Sequence, residues 1–166
     1  MQTLHEEISD LLSDAKEDRF SCAQDARKKA MDFLARREYG QLELIRKLAD
    51  KGYERKVAET AVLKLTDDGL QSDERFAESF VQSRVNQGKG PVRIRLDLGQ
   101  RGVSDSAIEQ ALAEADANWT ALAREVRLRK FGMAKPVDFK ARARQMRFLQ
   151  YRGFEQDQVK AAFERD

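Results

Sequence analysis

Basic side chains near the C-terminus have a spacing that suits contact with phosphate groups. Three of them and one tyrosine follow the helical intervals i, i+4, i+7 and i+11, at Lys140, Arg144, Arg147 and Tyr151. At about 100° per residue, such positions share one ridge of a helix. Cations and an aromatic ring on one ridge are what contact with a nucleic-acid backbone requires, although basic helices also dock in acidic grooves of other proteins. We therefore predict that this ridge binds an anionic partner.

The opposite side of the same helix is predicted to face the core. Phe139, Ala143 and Met146 share that side and are predicted to form a buried stripe. Arg142 lies nearer the edge of the stripe, where the aliphatic stem of an arginine can pack on apolar neighbours.

Two smaller basic groups are further candidates for contact with an anionic partner. Arg124 and Arg127 are three residues apart on the preceding predicted helix, so we expect them to be neighbours on its surface. The other group surrounds a Gly-Lys-Gly-Pro break at residues 88–91 and consists of Arg84, Lys89, Arg93 and Arg95.

Charge is unevenly distributed along the chain. The net charge of the whole chain is only +2, but residues 1–25 carry −5 and residues 119–152 carry +8. This asymmetry predicts that the C-terminal third meets a polyanion or an acidic protein.

The residue types that most kinds of catalysis need are scarce. His5 is the only histidine and Cys22 the only cysteine, which excludes a His/Cys metal cluster and a histidine-based triad. The segment at residues 88–90 lacks the spacing of a phosphate-binding loop. We therefore predict no catalytic residue, no cofactor and no metal site. A nuclease that holds its metal with carboxylates alone is the enzymatic alternative.

Hydropathy and cysteine usage indicate the cellular compartment in which the protein works. No run of about 18 apolar residues occurs, and the acidic N-terminus lacks the pattern of a secretory signal. A single cysteine cannot form an internal disulfide, which is typical of proteins in a reducing compartment. We expect a cytoplasmic protein without a membrane partner.

One short unit occurs three times, and it predicts the elements that position these side chains. Each copy has Leu four residues before Gly, a basic residue before that Gly and an apolar residue after it; the copies are at residues 48–53, 98–103 and 149–154. The glycines are 50 and 51 residues apart, a period that indicates tandem structural repeats. Each copy predicts a helix, a Gly turn with positive φ and a second helix.

The repeats lead to a fold prediction. We expect an all-α protein of three tandem three-helix, helix-turn-helix-like repeats in an elongated, curved array. The predicted boundaries are a leader and three repeats, at residues 1–20, 21–66, 67–116 and 117–166. The leader is expected to form a short amphipathic helix or to be loosely held, and the capping-box pattern at residues 21–24 is expected to open the next helix.

Several longer motifs are similar to those of a known family. DERFAESFVQSR at residues 73–84 and GKGPVRIRLDLGQRGV at residues 88–103 resemble the signature of the RecX family, bacterial regulators of the RecA recombinase. RFLQYRGF at residues 147–154 resembles its closing motif, and residues 41–53 resemble its opening one. The resemblance covers about residues 22–166. Gly40 stands where the family often has a capping Ser.

The resemblance implies a function as well as a fold. It implies three three-helix units, no catalytic activity and binding in the groove of the RecA–DNA filament, which restrains strand exchange and ATP hydrolysis. We expect roles in recombination, DNA repair and the SOS response, a monomeric state, and weak non-specific binding to single- and double-stranded DNA. The alternative is a stand-alone helix-turn-helix DNA-binding regulator.

Overall fold

The computed structural model describes residues 3–164, and for residues 16–19 it describes the backbone only. Every regular element in this part of the chain is an α-helix, as the repeat pattern predicts. The helices are α1 Leu4–Phe20, α2 Ala23–Leu34, α3 Gln41–Asp50, α4 Arg55–Asp67, α5 Asp73–Asn86, α6 Pro91–Gln100, α7 Asp105–Ala115, α8 Trp119–Phe131, α9 Phe139–Tyr151 and α10 Gln156–Ala161.

The described chain forms two compact units, residues 3–73 and residues 74–164. The first unit has one apolar core, built by α2, α3 and α4. The second unit has two cores, one in the bundle of α5, α6 and α7 and one in the bundle of α8, α9 and α10. We call these the first, second and third bundles. The prediction of an all-α chain of three three-helix repeats is confirmed.

The predicted leader is helix α1, and the C-terminal end of this helix contacts the first bundle. The Phe20 ring of α1 packs edge-on against Tyr53, with ring centroids 5.3 Å apart. The apolar residues earlier in α1 are exposed, among them Leu4 at 74% and Leu11 at 68%. The predicted amphipathic pattern is therefore present in a helix whose apolar side is not buried.

The three glycine turns have the predicted geometry. Gly52, Gly102 and Gly153 have φ of 106°, 79° and 99°. In each turn the residue after the glycine donates its N–H to the carbonyl of the leucine five residues earlier, at 3.2 Å in all three copies. These bonds satisfy carbonyl groups that a helix end otherwise leaves unpaired. The three leucines are fully buried, and the three residues that follow the glycines are buried as well.

The second and third bundles are joined by backbone hydrogen bonds. Gly90 and Val92, at the start of α6, donate to the carbonyls of Arg152 and Gly153, each at 2.9 Å. A Cβ on Gly90 would lie 2.3 Å from the Gly153 carbonyl, and a Cβ on Gly153 would lie 2.3 Å from the Arg93 Cβ. Such distances exclude any side chain, so only glycine permits this approach.

The predicted capping box at residues 21–24 is wrong. Cys22 is the N-cap of α2, and its side chain makes no capping hydrogen bond. The physical reason is that α1 continues to Phe20, so that Ser21 lies in the turn, one position before the N-cap. True caps occur at Ser104, which accepts from the Ala107 N–H, and at Glu155, which forms a capping box with Gln158.

Candidate functional site

The predicted basic ridge is exposed on α9. Its four members, which we call the α9 ridge, are Lys140, Arg144, Arg147 and Tyr151. They lie roughly opposite Leu149, the fully buried leucine of the glycine turn, at about 100° per residue. The sequence of α9 contains no acidic residue, and within residues 3–164 no ion pair involves the three ridge cations. The ridge therefore presents three positive charges to solvent.

The predicted buried stripe on α9 is partly wrong. Phe139 is 85% exposed, and Ala143 and Met146 are only partly buried. The residues of α9 that are buried are Gln145 and Leu149. The physical reason is that the glycine turn fixes Leu149 in the core and thereby sets the rotation of the helix. Phe139 is in the first turn of α9, about 80° around the helix from Leu149.

Three of the four basic residues predicted around the Gly-Lys-Gly-Pro break are joined by Arg152 from the third bundle. We call Arg84, Lys89, Arg93 and Arg152 the junction cluster. Partial burial, followed by the charges of Arg152, Arg93 and Arg84, lowers the pKa of Lys89, and Asp97 partly offsets this. Arg152 donates from Nη2 to the Gln87 carbonyl at 2.6 Å.

Two arginines of this region have acidic partners. Arg93 pairs with Asp97, with 3.4 Å between Nε and Oδ1. Arg95, the fourth basic residue expected around the break, bonds to Glu109 and Glu155 at 2.6 and 3.0 Å. Arg95 is therefore neutralised within the second unit, whereas the junction cluster keeps an excess of positive charge.

The expected surface pair of Arg124 and Arg127 is wrong. Arg127 is only 7% exposed, and its guanidinium lies 4.6 Å from the centre of the Phe163 ring. Burial and the charges of Arg124 and Arg142 lower the pKa of Arg127. Arg124 is half-buried and donates from Nη2 to the Ala161 carbonyl at 3.3 Å. Both differ from the prediction because α10 packs on this side of α8.

Sequence reasoning missed Arg152 as a site residue. It is not among the residues that the sequence predicts for the site, because 63 residues separate it from Lys89. A helical pattern reports neighbours within one element and carries no signal for a contact between bundles.

The described residues contain neither a cluster of metal ligands nor a membrane-spanning helix. Within residues 3–164, no group of three or more His, Cys, Asp or Glu side chains is placed to hold a metal ion. In the same part of the chain, no helix is long and apolar enough to span a membrane.

Family comparisons agree with this arrangement of bundles. Residues 26–65, 72–112 and 118–163 match the models of the first, second and third three-helix domains of RecX. Together these matches cover well over half of the chain.

Named relatives are similar over most of their length. The chain is 47% identical over 133 residues to "Regulatory protein RecX" of Pseudomonas entomophila (strain L48), which is 80% of this chain and 86% of the relative. It is 48% identical over 133 residues to the protein of the same name from Pseudomonas savastanoi pv. phaseolicola (strain 1448A / Race 6), with the same shares.

Solved structures share the fold. "Crystal structure of regulatory protein RecX" aligns with a TM-score of 0.71 and 22% identity, over 96% of this chain and 77% of that one. "Crystal structure of RecX from Lactobacillus salivarius" aligns with a TM-score of 0.66 and 23% identity, over 84% of this chain and 93% of that one. From its three matched domains and its identity to these relatives, the chain belongs to the RecX family of regulatory proteins.

Proposed function

We propose that this chain binds the RecA–DNA filament through the α9 ridge and thereby inhibits strand exchange and ATP hydrolysis by RecA. The observation that carries the proposal is the ridge itself, whose three cations form no ion pair within residues 3–164. A filament of protein on DNA offers phosphates and acidic side chains, and either can neutralise these charges. Membership of a family of regulatory proteins supports the choice of RecA as the partner.

Inhibition in this proposal needs no chemistry by the chain itself. It acts as a cytoplasmic monomer that occupies the filament, and so limits RecA in recombination, DNA repair and the SOS response. The junction cluster and Arg124 are secondary contacts in this proposal. Binding to bare single- or double-stranded DNA is weak and non-specific, because phosphate contacts alone carry no sequence information.

The test is the DNA-dependent ATPase of RecA, titrated with this chain and with a ridge variant. The variant reverses the three ridge charges with Lys140→Glu, Arg144→Glu and Arg147→Glu. We expect a nearly unchanged melting temperature, since exposed substitutions usually cost within about 0.5 kcal/mol each. Inhibition of the ATPase should be sharply weaker. If the ridge binds phosphates, the logarithmic salt slope of binding should fall by about 0.7–0.9 for each phosphate that the variant no longer neutralises.

A matched control carries the same change in net charge on the first bundle. Its substitutions are at exposed positions, namely Lys28→Glu, Arg46→Glu and Lys56→Glu. We expect this control to inhibit RecA like the unmodified chain. If a folded ridge variant inhibits the RecA ATPase at the same concentration as the unmodified chain, the ridge is not the contact with the filament. The junction cluster would then become the main candidate.

The second candidate function is a stand-alone DNA-binding regulator. The observation that favours it is the turn between α6 and α7, a glycine-turned helix pair of the kind that helix-turn-helix proteins use. Footprinting on duplex DNA, with and without RecA, separates the two functions. A preferred site would support the regulator, whereas protection only in the presence of RecA would support the filament contact.

A further inference from the structure

The third bundle contains a cavity that the filament contact does not use. Its volume is about 260 Å³, and it lies between α8, the 132–138 loop, α9 and the chain after α10. Its lining includes three cations, one carboxylate and two aromatic rings, namely Arg127, Lys135, Arg142, Asp138, Phe139 and Phe163. The four residues of the α9 ridge lie outside this lining.

Arg127 is the residue of this cavity that most strongly indicates a bound ligand. This residue is more than nine-tenths buried, and its Nε and Nη1 atoms have no hydrogen-bond partner among residues 3–164. An arginine stays protonated in a protein, so burial does not remove the charge. A buried cation without a counter-ion is unfavourable, and buried polar groups are nearly always paired. An anion in the cavity would offset this cost.

A second arginine is positioned beside the first by the same aromatic ring. The guanidinium of Arg142 lies 4.7 Å from the centre of the Phe163 ring, and that of Arg127 lies 4.6 Å from it. Contact with the face of an aromatic ring holds a cation without neutralising it. The cavity therefore has two oriented positive groups, and Lys135 adds a third.

The one carboxylate that lines the cavity already has a structural role. Asp138 is the N-cap of α9 and accepts the Ala141 N–H at 2.7 Å. With three cations lining the cavity, the excess of positive charge is two. A dianionic or monoanionic group fits this excess better than a neutral one does.

Phe139 adds an aromatic surface at the rim of the cavity. The ring is 85% exposed although it belongs to an ordered helix beside three cations. An exposed aromatic ring beside a basic cavity is the pairing that binds single strands, in which a base stacks on the ring and the backbone meets the cations.

We propose that this cavity binds one phosphate group of a single-stranded nucleic acid. The phosphate is attracted by Arg127, Arg142 and Lys135, and the neighbouring base stacks on Phe139. This site rests on the weak binding to bare single strands in the proposed function, and it gives that binding a location in the isolated chain that does not depend on the α9 ridge.

The first experiment measures the affinity of the isolated chain for a fluorescently labelled oligothymidine. Arg127→Met keeps a long side chain and removes the charge, and we expect binding at least about tenfold weaker, the scale of one charged hydrogen bond. The matched control is Arg129→Met, two residues away on the same helix, where the arginine is exposed and paired with Glu125 at 2.6 Å. The control should bind within about twofold of the unmodified chain.

Folding is separated from binding by a second variant. Arg142→Ala changes a more exposed residue of the same cavity and should also weaken binding at least about tenfold while the chain stays folded. If Arg142→Ala and a folded Arg127→Met both bind oligothymidine like the unmodified chain, the proposal is wrong.

A gain of affinity is expected from Asp138→Asn. Asparagine is as good an N-cap as aspartate, so the start of α9 is kept. Removing the negative charge should tighten binding at least about twofold, because the carboxylate no longer repels the phosphate. Weaker binding by a folded Asp138→Asn would contradict an anion in this cavity.

The stacking step has its own spectroscopic test. In Phe139→Trp, oligothymidine should quench the added indole fluorescence, whereas an abasic oligonucleotide and inorganic phosphate should not. Phe139→Ala should weaken binding of oligothymidine at least about fivefold and leave binding of the abasic backbone unchanged. Equal affinity for inorganic phosphate and for oligothymidine would show that the ligand is not a nucleic-acid strand. If a glutamate oligomer binds as tightly as oligothymidine and its binding depends on Arg127, the proposal of a phosphate site is wrong and the site binds carboxylates.

This test and the RecA test can fail separately. The ridge variant should retain the oligothymidine signal at Phe139→Trp, and Arg127→Met should lose it whatever its effect on the ATPase. If the ridge variant loses the oligothymidine signal completely, the strand binds on the ridge and the proposal of a binding site in the cavity is wrong.

Discussion

The second and third bundles have the same helix–glycine–helix frame and differ in what they bury. The core of the second bundle has eleven buried apolar residues, whereas that of the third has six, with five partly buried neighbours. The third bundle also buries polar side chains, at Arg127, Gln145 and Gln158. Local rules of packing are most often broken where function requires it. The difference therefore indicates that the third bundle has buried polar side chains in place of part of its apolar core for a functional reason.

The largest expected effect compares the glycine turns of the two bundles. Gly102→Val should lower the free energy of unfolding by at least about 1 kcal/mol, because valine is strained at a φ of 79°. Gly153→Val carries the same strain and also collides with Arg93, so it should cost more, about 3 kcal/mol or above.

Urea denaturation measures both glycine variants, and Gly99→Ala in α6, which has open space around it, is the control. Equal losses of stability for Gly102→Val and Gly153→Val would show that the approach of Arg93 contributes nothing.

The next effect compares the buried leucines of the two turns. Leu98→Ala and Leu149→Ala each remove a fully buried side chain and should cost about 2–5 kcal/mol. The loss of stability should be smaller at Leu149, because its partly buried neighbours can move into the space. Thermal unfolding measures the difference, and a larger loss at Leu149 would contradict a looser third core.

A smaller effect concerns the buried charge. Arg127→Met removes a cation that is unpaired among residues 3–164 and also its packing on the Phe163 ring, so stability should be unchanged or higher by up to about 1 kcal/mol. Arg129→Met on the exposed side should change stability by less than about 0.5 kcal/mol. A destabilisation above about 2 kcal/mol at Arg127→Met, measured in urea, would mean that the arginine is a structural part of the core.

The smallest effect concerns Lys89 and pH. Its pKa is lowered in the folded chain, so the unfolded chain binds the proton more readily and the charged lysine disfavours folding. Lys89→Met should therefore melt slightly higher than the unmodified chain near neutral pH. The difference should shrink as the pH rises through the folded pKa toward the ordinary lysine pKa, because the unmodified chain then loses the charge. A difference in melting temperature that grows with pH would have the wrong sign.

Local motifs made most of the fold predictable. The leucine, the glycine and the apolar residue after it specify one turn geometry, so Leu98, Gly102 and Val103 could be placed from the sequence. Phe139 and Arg127 could not, because a helical wheel gives angles within one helix and not the direction of the neighbouring helix. The rotation of α9 and the covering of α8 by α10 depend on packing across the bundle. The limits of the predicted repeats stay predictions.

The candidate site was predictable only within single elements. The α9 ridge is a pattern of one helix, and its exposure is confirmed. The junction cluster depends on Arg152 meeting Lys89 across two bundles, and the cavity depends on α8, α9, the loop between them and the chain after α10 meeting. Neither arrangement follows from the spacing of residues along the chain.

The hydrogen bonds from Gly90 and Val92 to the carbonyls of Arg152 and Gly153, just after α9, also report on motion. The start of α6 and the end of α9 satisfy each other's unpaired backbone groups, and their helix dipoles meet with opposite partial charges. Those two amide protons can exchange with deuterium only when the turn of the third bundle withdraws from α6. The exchange rate of these two amide protons, which belong to the second bundle, therefore measures how often the third bundle separates from the second.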